Sequence, residues 1–385
     1  MENKGMRRAA KFIILLGVVS LFADMTYEGA RGITGPFLFM LGASATMVGF
    51  ASGLGELSGY IIRLFSGYIA DRTRRYWFMT FTGYIINLVA VPLLALAFNW
   101  QVAILLIILE RIGKGFRTPA RDVMLSHATS QVGHGWGFGI HEALDQVGAI
   151  LGPLMVFLVL YLRGGYRTGF LFLGLPAIFA ILTLTVAYFL FPHPQRLEIE
   201  THRLVESPGL VFWLYIGVAC LIGAGYADFP LIGYHFKNVT LFGDSLIPVF
   251  YALAMLVDAL SALLFGRFFD HYGFRVMMVS VILSSLFAPL VFLGGVLAAV
   301  FGVVLWGVGM GAQESIMRAA IARIIPSDRR GSAYGIFNMF FGFSWFIGSL
   351  LMGMLYEVSL AALVMFSVIM QLLAIPLLVK VEKSV

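Results

Sequence analysis

The chain has few of the features that a soluble enzyme needs. Charged residues make up 12% of its 385 residues against 60% hydrophobic ones, and its mean hydropathy is +0.92. A soluble domain of this length must cover its exterior with polar side chains, so this composition excludes that class. A single cysteine, Cys220, rules out a disulfide within the chain. A phosphate-cradling glycine loop is also missing, which disfavours ATP as an energy source.

What the chain does contain is apolar runs of the length that crosses a membrane, roughly 20 residues each. Twelve such runs lie at 12–41, 45–70, 76–97, 101–126, 135–162, 168–191, 209–236, 245–269, 274–296, 298–325, 331–356 and 360–380. The first run follows a basic N-terminus, as in a signal peptide, but it carries Asp24 and Glu28 and no small-residue cleavage site follows. We therefore expect a retained first helix and an all-α membrane protein with twelve transmembrane helices.

The longest polar segment, 192–208, divides these runs into two sets of six. We predict an N-terminal six-helix bundle over 1–191, a cytoplasmic linker over 192–208 and a C-terminal six-helix bundle over 209–385. Most Lys and Arg residues in loops fall on the side that carries the N-terminus. The opposite side holds Arg163, Arg167 and Lys237. By the positive-inside rule both termini are cytoplasmic, in a multi-pass protein of the plasma (inner) membrane. The net charge of +6 thus lies in short loops, which argues against nucleic acid as a partner.

Two basic stretches, 199 residues apart, repeat each other. Gly67-Tyr-Ile-Ala-Asp71-Arg72-Thr-Arg74-Arg75 ends the second run, and Gly266-Arg267-Phe-Phe-Asp270-His-Tyr-Gly-Phe-Arg275 ends the eighth. A charged loop repeated at half the length of the chain indicates two copies of one bundle. The first stretch resembles the loop signature of the major facilitator superfamily, and the second matches it in part. The resemblance implies two pseudo-symmetric halves around a central cavity and a carrier that works by alternating access.

The same loop predicts a conformational switch. Asp71 can sit against the start of the eleventh helix, where the helix dipole favours an anion, while Arg72 and Arg75 can reach carboxylates such as Asp122. This arrangement would latch the two halves together on the cytoplasmic side. The predicted switch residues in and around the two loops are Gly67, Asp71, Arg72, Arg75, Asp122 and Asp270.

Charged residues inside the runs are the candidates for function, since an ion near the bilayer centre costs about 2.5–3.5 kcal/mol on insertion scales. Most of them lie in the first half of the chain. In the first run Asp24, Glu28 and Arg31 share one helical face. A carboxylate in a partly wet cavity can load and release protons near neutral pH, so we predict proton coupling through Asp24 or Glu28. The alternative is a structural Glu28–Arg31 pair that leaves Asp24 as a gate or helix contact.

The fourth run is denser in charge, and Lys114, Arg117 and Arg121 share a face there. Arg111-Ile-Gly-Lys114-Gly115 resembles the superfamily motif Arg-x-x-Gln-Gly, with Lys114 in place of Gln. The resemblance suggests a role in proton transfer for Arg111. The cations also predict a site for an anionic group of a substrate. Alternatively, Arg117 and Arg121 snorkel at the cytoplasmic interface, and Asp122 pairs with Arg121 or Arg72.

In the fifth run His141 and Asp145 are one turn apart and could relay a proton. Gly148-Ala-Ile-Leu-Gly152-Pro153 resembles the Gly-x-x-x-Gly-Pro motif of antiporters in the same superfamily. On that resemblance we assign Gly152 and Pro153 to the conformational switch, and it suggests export. Val156 and Phe157 replace glycines that the motif pairs, so the match is partial.

Histidines recur every seven residues at His127, His134 and His141, but we expect the first two in a cytoplasmic loop. We therefore predict no metal site and no cofactor. Glu56 in the second run and Asp228, the counterpart of Glu28 in the seventh run, complete the candidates for substrate binding, with a structural or gating role as the alternative for Glu56. That set is Arg31, Glu56, Arg111, Lys114, Arg117 and Asp228.

The sequence thus predicts a proton-coupled secondary transporter, not an enzyme, acting as a monomer in the lipid bilayer. Its partners would be protons and a small organic solute, anionic or amphiphilic, exported by proton antiport. Proton-coupled uptake of an organic anion and lipid translocation are the alternatives.

Overall fold

The computed structural model describes residues 2–132, 134–193, 209–324 and 330–384, so most of the predicted linker 192–208 lies outside the described residues. Within these ranges all regular elements are helical. The helices are α1 Glu2–Met40, α2 Ala45–Thr73, α3 Tyr76–Leu93, α4 Trp100–Val132, α5 His134–Tyr161, α6 Tyr166–Phe172, α7 Gly174–Leu190, α8 Leu210–Gly225, α9 Phe229–Asn238, α10 Ile247–Tyr272, α11 Phe274–Ser285, α12 Phe287–Phe292, α13 Val296–Ile324, α14 Arg330–Val358 and α15 Leu360–Ser384. Single 3₁₀ turns add Leu94–Leu96 and Asp244–Leu246.

These helices confirm the predicted all-α membrane fold, with helix at each of the twelve apolar runs. Among the described residues, 10 helical segments are long and apolar enough to cross a membrane. The runs at 45–70 and 101–126 correspond to α2 and α4, which have 29 and 33 residues but carry charged residues in their middle. Three of the runs are built from two helices each: α6 with α7, α8 with α9, and α11 with α12.

Several helices extend further than the hydropathy of the sequence predicts. α1 begins at Glu2, α4 continues to Val132 and α5 begins at His134, so the predicted loop around 127–134 is mostly helix. That prediction was wrong because hydropathy marks the part of a helix that lies in lipid, and a helix can continue beyond it with polar side chains in water.

The break between α8 and α9 has a local cause. The Asp228 carboxylate accepts a hydrogen bond from the backbone nitrogen of Phe229 at 2.9 Å, with Pro230 in the first turn of α9. Side chains that cap a helix in this way satisfy an amide that has no partner within the helix. Asp228 therefore starts a new helix in the middle of the seventh span.

The chain forms two compact units that do not simply divide it at its midpoint. The first comprises Met1–Arg31 and Ser58–His202, and the second comprises Gly32–Leu57 and Arg203–Val385. The second unit thus contains the end of α1 and the start of α2 together with α8 to α15. The division at 192–208 stays a prediction about the repeat in the sequence.

Glycines let the start of α2 approach α14 closely inside the second unit. A Cβ on Gly49 would lie 3.0 Å from the carbonyl carbon of Ser349, and one on Gly53 would lie 2.9 Å from Cα of Phe346. Since the neighbouring atoms are backbone, they could not yield to a larger side chain. The end of α14 also contacts the first turn of α2, because Glu357 Oε1 accepts from the backbone nitrogen of Thr46 at 2.8 Å.

Each of the two repeated stretches contains a residue with positive φ just after its helix. Arg74 follows α2 with φ 53°, and Gly273 follows α10 with φ 61°. The two positions are 199 residues apart, the same spacing as the sequence repeat. Glycine adopts this left-handed backbone readily and arginine does so at a cost. The repeat therefore extends to a positive φ at a position where the residues differ.

Candidate functional site

The candidate site starts on one buried face of α1, inside the first compact unit. The exposed fractions of Asp24, Glu28 and Arg31 are 8%, 7% and 8%. The Tyr27 hydroxyl donates a hydrogen bond to Asp24 Oδ1. Arg31 Nη1 lies 3.9 Å from Glu28 Oε2, so the pair expected as the structural alternative is present. The predicted face of α1 is therefore present, and its three charged side chains are buried.

Lys114 of α4 joins this face. Its Nζ lies 3.6 Å from Glu28 Oε1 and 4.0 Å from the centre of the Tyr27 ring. Glu28 therefore has a cation beside each of its two oxygens, Lys114 on one and Arg31 on the other. A second carboxylate, Asp24, also interacts electrostatically with Lys114. Such close pairing stabilises charges that would otherwise be costly to bury.

Arg117 lies one turn further along α4 and is completely buried, with 0% of its surface exposed. Its Cζ lies 4.1 Å from the centre of the Tyr84 ring and 5.8 Å from that of Tyr27, so aromatic faces support the cation. None of its Nε, Nη1 and Nη2 atoms has a hydrogen-bond partner among the described residues. The snorkelling interpretation is wrong for Arg117, because its guanidinium is enclosed by protein.

Arg111 points to a different neighbourhood. Its Nε lies 3.2 Å from Glu110 Oε2, and Asn87 Nδ2 of α3 donates to Glu110 Oε1 at 2.6 Å. α3 and α4 approach closely at this point, since a Cβ on Gly113 would lie 2.8 Å from the carbonyl oxygen of Gly83. Both Arg111 and Lys114 thus have a carboxylate contact.

Arg121 links α4 to α1 and, through Ser20, to α5. Its Nε and Nη2 donate to Asp122 Oδ1 at 2.9 and 2.8 Å, and its Nη1 donates to Ser20 Oγ at 3.1 Å. Ser20 Oγ in turn lies 3.2 Å from His141 Nε2. The partner of Asp122 is thus Arg121, which was one of the two arginines expected for it. The other, Arg72, donates to the Tyr68 hydroxyl at 3.2 Å.

His141 and Asp145 extend the connection along α5. His141 Nε2 lies 3.8 Å from Asp145 Oδ2, as their spacing of one turn predicts. His141 Nδ1 and Asp145 Oδ1 are buried and have no hydrogen-bond partner among the described residues. At this distance the imidazole and the carboxyl group are not hydrogen-bonded to each other, and each retains an unused atom.

The glycines of the fifth span bring α5 against α1 at the level of the carboxylates. A Cβ on Gly148 would lie 3.0 Å from Cβ of Asp24, and one on Gly152 would lie 2.8 Å from the carbonyl carbon of Met25. Small residues at this spacing permit close helix packing, as in membrane helix pairs generally. The contact fixes the distance between Asp24 and the polar residues of α5.

We call this group of side chains the charge cluster. Its members, all within the first compact unit, are Ser20, Asp24, Tyr27, Glu28, Arg31, Tyr84, Lys114, Arg117, Arg121, His141 and Asp145. The cluster combines carboxylates, cations, hydroxyls and an imidazole within an apolar helix bundle. Among the described residues, no group of three or more His, Cys, Asp or Glu side chains is placed to hold a metal ion.

The sequence profile of the Major Facilitator Superfamily matches residues 16–275 and 214–384. The chain belongs to the Major Facilitator Superfamily. A protein of Mycobacterium tuberculosis, named only as uncharacterized, is 40% identical over 95% of this chain and 92% of its own length. An uncharacterized MFS-type transporter of Methanocaldococcus jannaschii is 26% identical, with 93% and 92% covered. The crystal structure of the nucleoside transporter NupG superposes with a TM-score of 0.76 at 15% identity, covering 97% of this chain and 98% of that one, which shows the shared fold.

This member of the superfamily is therefore a multi-pass membrane transporter and not an enzyme. Its signature stretch is accessible: Asp71 and Arg72 are exposed in the last turn of α2, Arg75 is exposed just after it, and Asp270 is exposed near the end of α10. The predicted latch between this loop and the eleventh span stays a prediction. Gly67 is half-buried on α2, where a Cβ would meet only the ring of Pro119, at 3.8 Å.

Two predicted substrate-binding residues lie outside the charge cluster. Glu56 is half-buried on the part of α2 that belongs to the second unit, and Asp228 caps α9 in that unit. Conversely, Tyr27 and Ser20 belong to the cluster, but the sequence analysis missed them because it considered charged residues and these two are uncharged. Both lie near Asp24 on α1, so the hydroxyl-bearing positions of that helical face could have indicated them. Tyr84 carries no such signal, because the sequence does not fix the rotation of α3.

Proposed function

We propose that this MFS chain is a proton-coupled secondary transporter that moves a small organic solute, anionic or amphiphilic, by alternating access. The observation that supports this most strongly is the position of Lys114 between the α1 carboxylates and Tyr27, with Nζ 3.6 Å from Glu28 Oε1. A buried cation that is already neutralised by a carboxylate can bind a second anion only if that carboxylate is neutralised first. Protonation of Glu28 does this.

The coupling follows from charge balance. When Glu28 or Asp24 carries a proton, Lys114 gains an unmatched positive charge and binds an anionic group on the solute. When the proton leaves, the carboxylate pairs with Lys114 again and the anion is released. Arg111, whose guanidinium lies 3.2 Å from Glu110 Oε2, exchanges partners by the same principle. The aromatic ring of Tyr27 beside Lys114 favours a solute with an apolar part.

The direction of transport has two candidates, each supported by a different feature. The close packing of Gly148 and Gly152 against α1 supports efflux by proton antiport, since it realises the packing expected of the antiporter-like motif. The Lys114–Glu28 pair favours proton-coupled uptake of an organic anion, because a proton on Glu28 promotes anion binding and both would then move together. Lipid translocation is the third possibility, and it predicts movement of lipid without movement of a soluble solute.

The experiment that tests the proposal uses purified protein in proteoliposomes. A thermal-stability screen of organic anions at several pH values first identifies a solute. Counterflow and net flux of that solute are then measured with a pH gradient of either sign. If an inward proton gradient drives the solute outward, the protein is an exporter. If it drives the solute inward, the protein takes the solute up. In Asp24→Asn and Glu28→Gln we expect loss of gradient-driven flux with exchange partly retained. Flux that ignores the gradient, and is unchanged in both variants, would refute proton coupling.

We further propose that the transporter acts as a monomer in the plasma membrane with both termini cytoplasmic. The distribution of Lys and Arg between the two sets of loops supports this orientation. Light scattering of the purified protein measures the first property, and labelling of a cysteine placed at either terminus in intact cells measures the orientation.

A further inference from the structure

The charge cluster contains a buried cation and a buried carboxylate oxygen that both lack a hydrogen-bond partner among the described residues. The Arg117 guanidinium is 0% exposed and none of its three nitrogens has a hydrogen-bond partner among the described residues. Asp145 Oδ1 is likewise buried without a partner there. The charges of the two side chains interact electrostatically, although they form no ion pair in this arrangement. A buried ion without a counter-ion or hydrogen bonds is costly, so this mismatch calls for an explanation.

Neighbouring groups do not compete for these atoms. Arg121 is also near Asp145, but its Nε and Nη2 donate to Asp122 and its Nη1 donates to Ser20. Asp24 is near Arg117, but its Oδ1 accepts from the Tyr27 hydroxyl and its strongest attraction is to Lys114. Besides His141 Nδ1, Arg117 and Asp145 are therefore the groups around Asp145 that keep unused polar atoms.

We propose that Arg117 and Asp145 form an exchangeable ion pair. Arg117 pairs with Asp145 of α5 when that carboxyl group has released its proton, and it rests against the rings of Tyr84 and Tyr27 when the carboxyl group is protonated. The inference rests on the proposed function, in which the charge cluster carries a proton. It assigns Arg117 a role as a positioning residue whose movement follows the protonation of Asp145.

The surroundings of both groups fit such an exchange. Asp145 faces Asp24 from α1, Arg121 from α4, and Glu142 and His141 from its own helix. Carboxylates and arginines from α1, α4 and α5 thus both act on Asp145. Arg117 faces Tyr27 of α1 and Tyr84 of α3, whose rings hold the cation without binding it as tightly as a carboxylate would.

The test is a double-mutant cycle on thermal unfolding of the full-length protein in detergent, which needs no transport substrate. Wild type, Arg117→Gln, Asp145→Asn and the double variant are compared at about pH 5.5 and about pH 8.5, on either side of neutrality. At the higher pH we expect the loss of Tm in the double variant to be at most about half the sum of the single losses. At the lower pH the losses should add, because the carboxyl group is then neutral.

Two further cycles make the result specific: Lys114→Gln with Asp145→Asn, and Arg117→Gln with Asp24→Asn. Lys114→Gln with Asp145→Asn is the matched control, since Lys114 contacts Glu28, and its losses should add at both pH values. If a single variant does not fold, Arg117→Lys and Asp145→Glu replace the original substitutions, and they should retain part of the coupling. Additive losses at both pH values would overturn the exchange, as would coupling of Arg117 to Asp24 in place of Asp145. Because no flux is measured, a failure here is distinct from a failure of proton-coupled transport.

Discussion

Lys114 Nζ lies 3.6 Å from Glu28 Oε1 and thereby ties α4 to α1 across the interior of the first compact unit. The superfamily motif that Arg111-Ile-Gly-Lys114-Gly115 resembles has a neutral glutamine at this position. In this chain the cation is matched by a carboxylate on the facing helix. Lys114 of α4 and Glu28 of α1 thus form one ion pair, and the two residues should be tested together.

Replacing Lys114 alone should destabilise the protein. Lys114→Gln leaves Glu28 with Arg31 as its nearest cation, and loss of one partner of a buried pair costs about 3 kcal/mol. We expect a clear drop in Tm by thermal unfolding in detergent. The double variant Lys114→Gln with Glu28→Gln should recover most of that loss, because no unmatched charge is left. A Lys114→Gln protein as stable as wild type, with unaltered affinity for its solute, would show that the pair has no role.

The packing of α5 on α1 gives a second prediction. Gly152→Ala should destabilise the protein by about 1–3 kcal/mol, because the new Cβ would lie 2.8 Å from the carbonyl carbon of Met25 and backbone cannot easily move away. Gly139→Ala is the matched control on the same helix, since a Cβ there has nothing within 4 Å. Thermal unfolding of both variants decides the matter: equal stabilities would mean that the close contact does not constrain the fold.

How much of this arrangement could be foreseen depends on the kind of residue. The Glu28–Arg31 contact, the Arg121–Asp122 pair and the approach of His141 to Asp145 follow from spacing within one helix, and the sequence predicts all three. Contacts between helices do not follow from spacing. The Lys114–Glu28 pair needs the rotation and depth of both α1 and α4, which no periodicity defines.

Arg117 is a residue whose environment the sequence predicted wrongly. Its position near the predicted end of the fourth span suggested an interfacial residue, because hydropathy falls where charges accumulate. α4 in fact continues to Val132, which places Arg117 well inside the helix, and Tyr84 of α3 covers it. The positions of the twelve apolar runs were sufficient to predict the all-helical membrane fold. The assignment of Gly32–Leu57 to the second compact unit was beyond the sequence, since it depends on packing.

The contact between α14 and α2 leads to a third prediction. Glu357 Oε1 accepts from the backbone nitrogen of Thr46 at 2.8 Å and thus stabilises the first turn of α2 with a negative charge. Glu357→Gln should weaken this contact by about 1 kcal/mol. In a Cys220→Ser background, a cysteine in place of the buried Ser349 should then react faster with an impermeant maleimide.

The control for that measurement is Glu382→Gln. Its carboxylate pairs with the exposed Arg275 at 2.8 Å, and surface pairs of this kind contribute little. We expect the labelling rate at position 349 to be unchanged in Glu382→Gln. An equal rate in Glu357→Gln would show that the carboxylate does not hold the two helix ends together.

The signature loop supplies a fourth prediction. Asp71→Asn should lower the maximal rate of transport about tenfold for every solute while affinity changes little, because a latch acts on the switch between states and not on binding. Uptake and efflux rates in proteoliposomes measure the first quantity, and ligand-induced shifts in Tm measure the second. A loss confined to affinity would place Asp71 in the binding site instead.

The most direct test of the account asks whether the charge cluster opens to both sides of the membrane. In a Cys220→Ser background, Lys114→Cys is treated with an impermeant thiol reagent from one side and then, in a separate sample, from the other. The proposed mechanism predicts labelling from each side. A residue at position 114 that stays sealed from both compartments under all conditions would contradict it.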